Sequence, residues 1–117
     1  MGFVMQISLR KISSINILSL SGELSALRQP EALSEQVKAL LEQGERLFLI
    51  NLKDCTRIDS MGLGEIVKAY TLIAKVQGVL KLTEVPLRLR GLVVAANLTE
   101  VFEIYDTERE AINSFGN

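Results

Sequence analysis

The stretch from Leu47 to Lys68, LFLINLKDCTRIDSMGLGEIVK, constrains the fold more than any other part of the chain. Leu47, Phe48, Leu49 and Ile50 form an apolar run with no polar alternation. Such a run reads as a strand covered on both faces, a condition met mainly in parallel sheets. A polar bend follows, and Asp59-Ser60-Met61-Gly62-Leu63-Gly64 then opens an amphipathic helix with Leu63, Ile66, Val67, Tyr70 and Ala74 on one face. The chain thereby delivers a carboxylate and a hydroxyl to a helix mouth, where free backbone N–H groups make a small anion well.

The flanking sequence supplies the partners of that strand. Met5, Ile7 and Leu9 alternate with Gln6, Ser8 and Arg10, as in a strand with one wet face. A second strand is expected from Ile15 to Leu20, joined to the first by a hairpin through Ser13-Ser14. After Gly22 the chain is expected to turn through Glu23-Leu24-Ser25 to Pro30, which opens a helix carrying Leu33, Val37, Leu40 and Leu41 and ending at Gly44. The buried strand is expected to span 47–52. Beyond the second helix, which ends near Gly78, Val79 to Leu82 forms a third strand of the parallel series. Pro86 introduces a helix with Leu89, Leu92, Val93 and Ala96 inward, and Val101 to Tyr105 holds a last strand. Thr107-Glu108-Arg109-Glu110 is a capping box for a C-terminal helix containing Ala111, Ile112 and Phe115.

The order β-β-α-β-α-β-α-β-α predicts a single α/β domain over residues 1–117. Its sheet is expected to be mostly parallel, of four or five strands, with an antiparallel N-terminal edge strand and about four flanking helices. In such sheets functional residues gather at the carboxyl ends of the strands. The Gly22–Ser25 and Asp59-Ser60 bends both leave strands there, so they are expected to be neighbours.

Composition removes whole classes of chemistry. The chain has no histidine and a single cysteine, Cys55. Ser-His-Asp and Cys-His triads, an internal disulfide and the common zinc sites are therefore excluded. No metal, cofactor or catalytic residue is expected. Thirteen basic against fourteen acidic residues give a net charge of −1, which is no footprint for nucleic acid. No apolar run approaches the roughly 20 residues that span a bilayer, and the start resembles no secretory signal, so a cytoplasmic location is expected. Gly62-x-Gly64 lacks the third spaced glycine of a dinucleotide fingerprint.

What remains is the helix mouth. Asp59 or Ser60 can serve simply as the N-cap, which both residue types do well. Yet Gly62 and Gly64 stand in a first turn, where glycine costs up to about 1 kcal/mol relative to alanine, and Met61 adds an adaptable apolar contact. The combination favours a docking surface, and Ser25, Asp59, Ser60, Met61, Gly62 and Leu63 are expected to line it. Arg88 and Arg90 read as a solvated helix face or as contacts for an acidic partner. Cys55 reads as a small buried side chain or a partly exposed thiol.

LFLINLKDCTRIDSMGLGEIV resembles the signature of the STAS family, the bacterial anti-sigma factor antagonists. That signature is a buried strand, an acidic turn, then Asp-Ser-(Ser/Thr)-Gly-Leu-Gly opening a helix. SLSGELS resembles the family's Gly-Glu-(Leu/Ile)-Asp turn, and the order of elements agrees over nearly the whole chain. The resemblance implies phosphorylation of Ser60 by a partner that is both serine kinase and anti-sigma factor, with the unphosphorylated form binding that partner. Met61 stands where relatives often carry a second hydroxyl, and Ser25 where they usually carry Asp. These departures suit an alternative, a STAS adaptor without a phosphorylation cycle in a transport assembly or stress-sensing complex. A small-ligand or nucleotide-binding domain using the same helix mouth is a further class.

Overall fold

The computed structural model describes residues 5–25 and 31–116. Its elements run β1 (Gln6–Ile12), β2 (Ile15–Leu24), α1 (Glu31–Glu42), β3 (Leu47–Ile58), α2 (Ser60–Ala74), β4 (Val79–Thr83), α3 (Leu87–Ala95), β5 (Glu103–Tyr105) and α4 (Glu108–Ser114). The expected helix-opening Pro30 lies outside the described residues. The sheet has five strands in the order β1-β2-β3-β4-β5, with β1 antiparallel to β2 and every other pair parallel. The fold class expected from the sequence is thus observed, including the hairpin, whose Ser13 takes φ 55° as a tight two-residue loop requires.

Each crossover steps to the next strand in the same direction, so right-handed connections stack α1, α2 and α3 on one face. The core agrees. Leu33 and Val37 of α1, Ile66 and Ile73 of α2, and Leu89 of α3 share one buried cluster with Leu18, Leu20, Phe48, Ile50 and Leu82. Burying each such side chain is worth about 1.5–3 kcal/mol. The opposite face is covered by α4, whose Ala111 packs on Ile15, Ile17 and Leu49. Lys81 fixes the end of α4: its Nζ donates to the Ser114 carbonyl at 3.0 Å and lies 4.6 Å from the Phe115 ring. Thr107 caps α4, its Oγ1 accepting from the Glu110 N–H, but the Glu110 carboxylate takes the Thr107 hydroxyl rather than the Thr107 N–H, so the expected box forms in its first half.

The first three helices end alike. After α1 the N–H of Glu45 reaches the Leu40 carbonyl and that of Gly44 the Leu41 carbonyl. Gly78 and Gln77 repeat this after α2, and Leu98 and Asn97 after α3. Each motif needs a left-handed residue, supplied by Gly44 (φ 94°), Gln77 (φ 60°) and Asn97 (φ 60°).

Two strands run further than the sequence suggests. β2 does not turn after Gly22 but continues to Leu24, and β3 does not bend at 52 but reaches Ile58. The register between them shifts twice, and each shift inserts one extra residue into β3. Side chains secure both bulges: Asn51 Oδ1 accepts from the Lys53 N–H at 2.9 Å, and Thr56 Oγ1 donates to the Gly22 carbonyl at 3.1 Å. The bulges turn the two-residue period into a three-residue one, so Leu52, Cys55 and Ile58 face inward while Lys53, Asp54, Thr56 and Arg57 are exposed. Smaller corrections are that α3 stops at Ala95, leaving Ala96 exposed rather than inward, and that β5 is confined to Glu103–Tyr105.

Candidate functional site

Asp59, not Ser60, caps α2. Its backbone is extended (φ −115°, ψ −175°) and its Oδ1 accepts from the Gly62 N–H at 2.8 Å. Its carbonyl accepts from the Leu63 N–H at 3.0 Å. Ser60 is therefore the first helical residue, exposed, with no hydrogen bond from its hydroxyl among the described residues. The N–H groups of Ser60 and Met61 also have no backbone partner among them, which leaves two donors at the positive end of the helix. Met61 is 61% exposed beside them.

Gly62 and Gly64 do different jobs. A Cβ on Gly62 would stand 2.1 Å from the Leu24 carbonyl oxygen, so the first turn of α2 rests directly on the end of β2. The Asp59 N–H meets that same oxygen at 3.4 Å. Gly64 is exposed with nothing within 4 Å of an added Cβ. Of the two, only Gly64 leaves the helix mouth bare.

Three expected surface residues need correcting. Gly62 is buried against Leu24. Leu63 is 6% exposed and belongs to the core, because a residue in the fourth helical position points back over the sheet. Ser25 is 3% exposed, its hydroxyl donating to Glu23 Oε2 at 2.6 Å. The two bends do meet, through Leu24 and Asp59, but they present Asp59, Ser60 and Met61 outward rather than all six residues.

Other features escaped the sequence reading. Glu65, buried on α2, accepts from the Ser34 N–H at 2.9 Å and so ties the first turn of α1 to α2. Leu87 is 86% exposed at the start of α3, with Val94 exposed two turns on. Their seven-residue spacing across Gly91 was the available signal. Cys55 is the small buried side chain, and burial pushes its thiol above the ordinary range. Among the described residues no group of acidic, cysteine or histidine side chains is arranged to hold a metal ion, and no helix is long and apolar enough to cross a membrane.

This architecture has known relatives. A protein from Thermotoga maritima described as an anti-sigma factor antagonist superposes with a TM-score of 0.83 at 25% identity, over 92% of each chain. The phosphorylated form of the Bacillus cell fate determinant SpoIIAA gives 0.76 at 20% identity, over 95% of this chain and 100% of that one. A sulfate transporter family protein from Wolinella succinogenes gives 0.67 at 18% identity, over 87% and 84%. No curated protein matches the sequence. The STAS domain family matches residues 6–111, which hold all five strands, α1 to α3 and the first half of α4, and the chain belongs to that family.

Proposed function

We propose that the chain is an anti-sigma factor antagonist that binds an anti-sigma factor with serine kinase activity, and that phosphorylation of Ser60 ends the binding. The observation that carries this reading is the division of labour at the helix mouth. Asp59 performs the capping, so the Ser60 hydroxyl is left without that duty, has no partner among the described residues and faces solvent. A phosphate there adds roughly −1.5 to −2 charges. The open N–H groups of Ser60 and Met61 can receive it, so the fold survives and the cost falls on the partner. A penalty of about 3 kcal/mol in desolvation or repulsion lowers affinity more than a hundredfold. Regulation is by binding, in the cytoplasm.

Met61 supports a second reading, an adaptor subunit that docks constitutively. In place of a second hydroxyl it offers a large, exposed apolar side chain suited to a permanent contact. Capture with wild-type and Ser60→Asp bait separates the two. The switch requires a serine kinase of the anti-sigma type to be retained by wild type and lost by Ser60→Asp. Equal capture of that kinase by both overturns it.

A further inference from the structure

The outer half of β3 has a strand on one side only. Toward β2 it is paired to Ile58, but toward β4 the register ends at Asn51↔Thr83. There the chain leaves the sheet: Glu84 takes φ 53° and gives its N–H to the Tyr105 carbonyl, and Pro86 has no N–H to offer. Among the described residues, the β3 backbone beyond Leu52 thus has no strand partner where β4 would have continued; the Lys53 N–H is held by Asn51 Oδ1 and the Arg57 carbonyl accepts from the Cys55 thiol, and the groups between them face no strand on that side. An open edge is a template for another strand.

The surroundings of this edge select its occupant. Arg57 and Arg88 line the shallow cleft between the edge and α3, with Thr56, Ile58 and Pro86. Lys53, Arg57 and Arg88 are exposed, and among the described residues none forms an ion pair, in contrast to Arg10, Lys11, Lys81 and Arg90. Asp54 is the opposing charge on the strand itself, and the Glu84 carboxylate, which accepts from Asn51, lies at the inner end of the edge rather than along the 53–57 stretch. α3 adds to the positive field, because Pro86 provides no side-chain cap and the first turn holds no acidic residue. The exposed Leu87 side chain gives one apolar contact at the same helix start. A second copy of the edge would bring arginine against arginine, so the charges that discourage self-pairing favour a strand of opposite sign.

We propose that the edge of β3 over residues 53–57 takes up an extended acidic segment of a partner protein as an added strand. This goes beyond the Ser60 reading and does not depend on it, since the edge arises where β4 leaves the sheet after Thr83 and Ser60 takes no part in that.

The test uses the full chain, labelled with nitrogen-15, and a seven-residue peptide of alternating glutamate and valine. The amides of residues 53–57 are expected to shift on titration, with those of β1 unmoved. The lysine-valine counterpart should bind at least about tenfold more weakly. Methylating alternate peptide nitrogens, in the register that faces the edge, should also cost at least about tenfold by removing ladder hydrogen bonds. Arg57→Glu with Arg88→Glu should reverse the preference between the two peptides. Should that variant fail to fold, the comparison of peptides on the wild-type chain decides alone. Ser60→Ala should bind the acidic peptide like wild type, which separates this proposal from the switch. Absence of shifts at millimolar peptide, or equal binding by the N-methylated peptides in both registers, overturns it.

Discussion

The Leu24 carbonyl oxygen lies 2.1 Å from the point where a Cβ on Gly62 would stand. The end of β2 and the first turn of α2 are therefore in backbone contact, and the helix mouth is held in place by a residue with no side chain. Gly62→Ala must push the helix off the strand, and a loss of about 1–3 kcal/mol is expected in urea unfolding. Gly64→Ala meets nothing and should gain up to about 1 kcal/mol. Equal effects at the two positions would refute the close approach.

The cap at Asp59 makes a similar contrast with its neighbour. Asp59→Ala removes the acceptor for the Gly62 N–H and should cost about 1 kcal/mol. Ser60→Ala removes a hydroxyl with no partner among the described residues and should stay within about 0.5 kcal/mol of wild type. The reverse order would show that Ser60 caps the helix in solution.

Met61 and Leu63 should separate binding from stability. Met61→Asp, on the exposed side of the helix, should leave the melting temperature nearly unchanged while weakening capture of the partner. Leu63→Ala should cost about 2–5 kcal/mol because it opens a cavity in the core. A large thermal loss on Met61→Asp would place that side chain in the core.

Acid should find a weak point between β1 and α4. Burial pushes the Glu108 carboxyl up, but hydrogen bonds from Asn51 and from Arg10, together with the Arg10 charge, outweigh it and hold the group below its ordinary range. A depressed folded-state pKa gives stability that is complete above the unfolded value of about 4.3 and fades as pH falls through the folded one. Chemical denaturation from pH 6 down to pH 3 should therefore show a shallower acid loss for Glu108→Gln than for wild type. Parallel curves would deny the pair its role.

Most of the architecture was legible because the signals were local and redundant. The unbroken run Leu47–Ile50, helical spacing in Leu33, Val37 and Leu40, and Thr107 three residues before Glu110 each point to one element. The outer half of β3 was not legible. Two bulges replace alternation by the three-residue spacing of Leu52, Cys55 and Ile58, and that pattern matches neither a regular strand nor a helix. The start of α2 was placed at the Asp59-Ser60 bend, but the inner and outer residues around it were not sorted. Whether Gly62 is bare or buried depends on Leu24, thirty-eight positions away, and no local pattern carries that contact.

The most direct measurement takes the cognate anti-sigma kinase with ATP, the wild-type chain and Ser60→Ala, and reads phosphate by intact mass and peptide mapping, then affinity before and after. One phosphate is expected, on Ser60, with none on Ser60→Ala, an unchanged far-UV circular dichroism spectrum, and at least a hundredfold loss of affinity that Ser60→Ala escapes. Phosphate on Thr56 or Ser25, no phosphate at all, or a phosphorylated chain that binds as tightly as before would contradict the switch at Ser60.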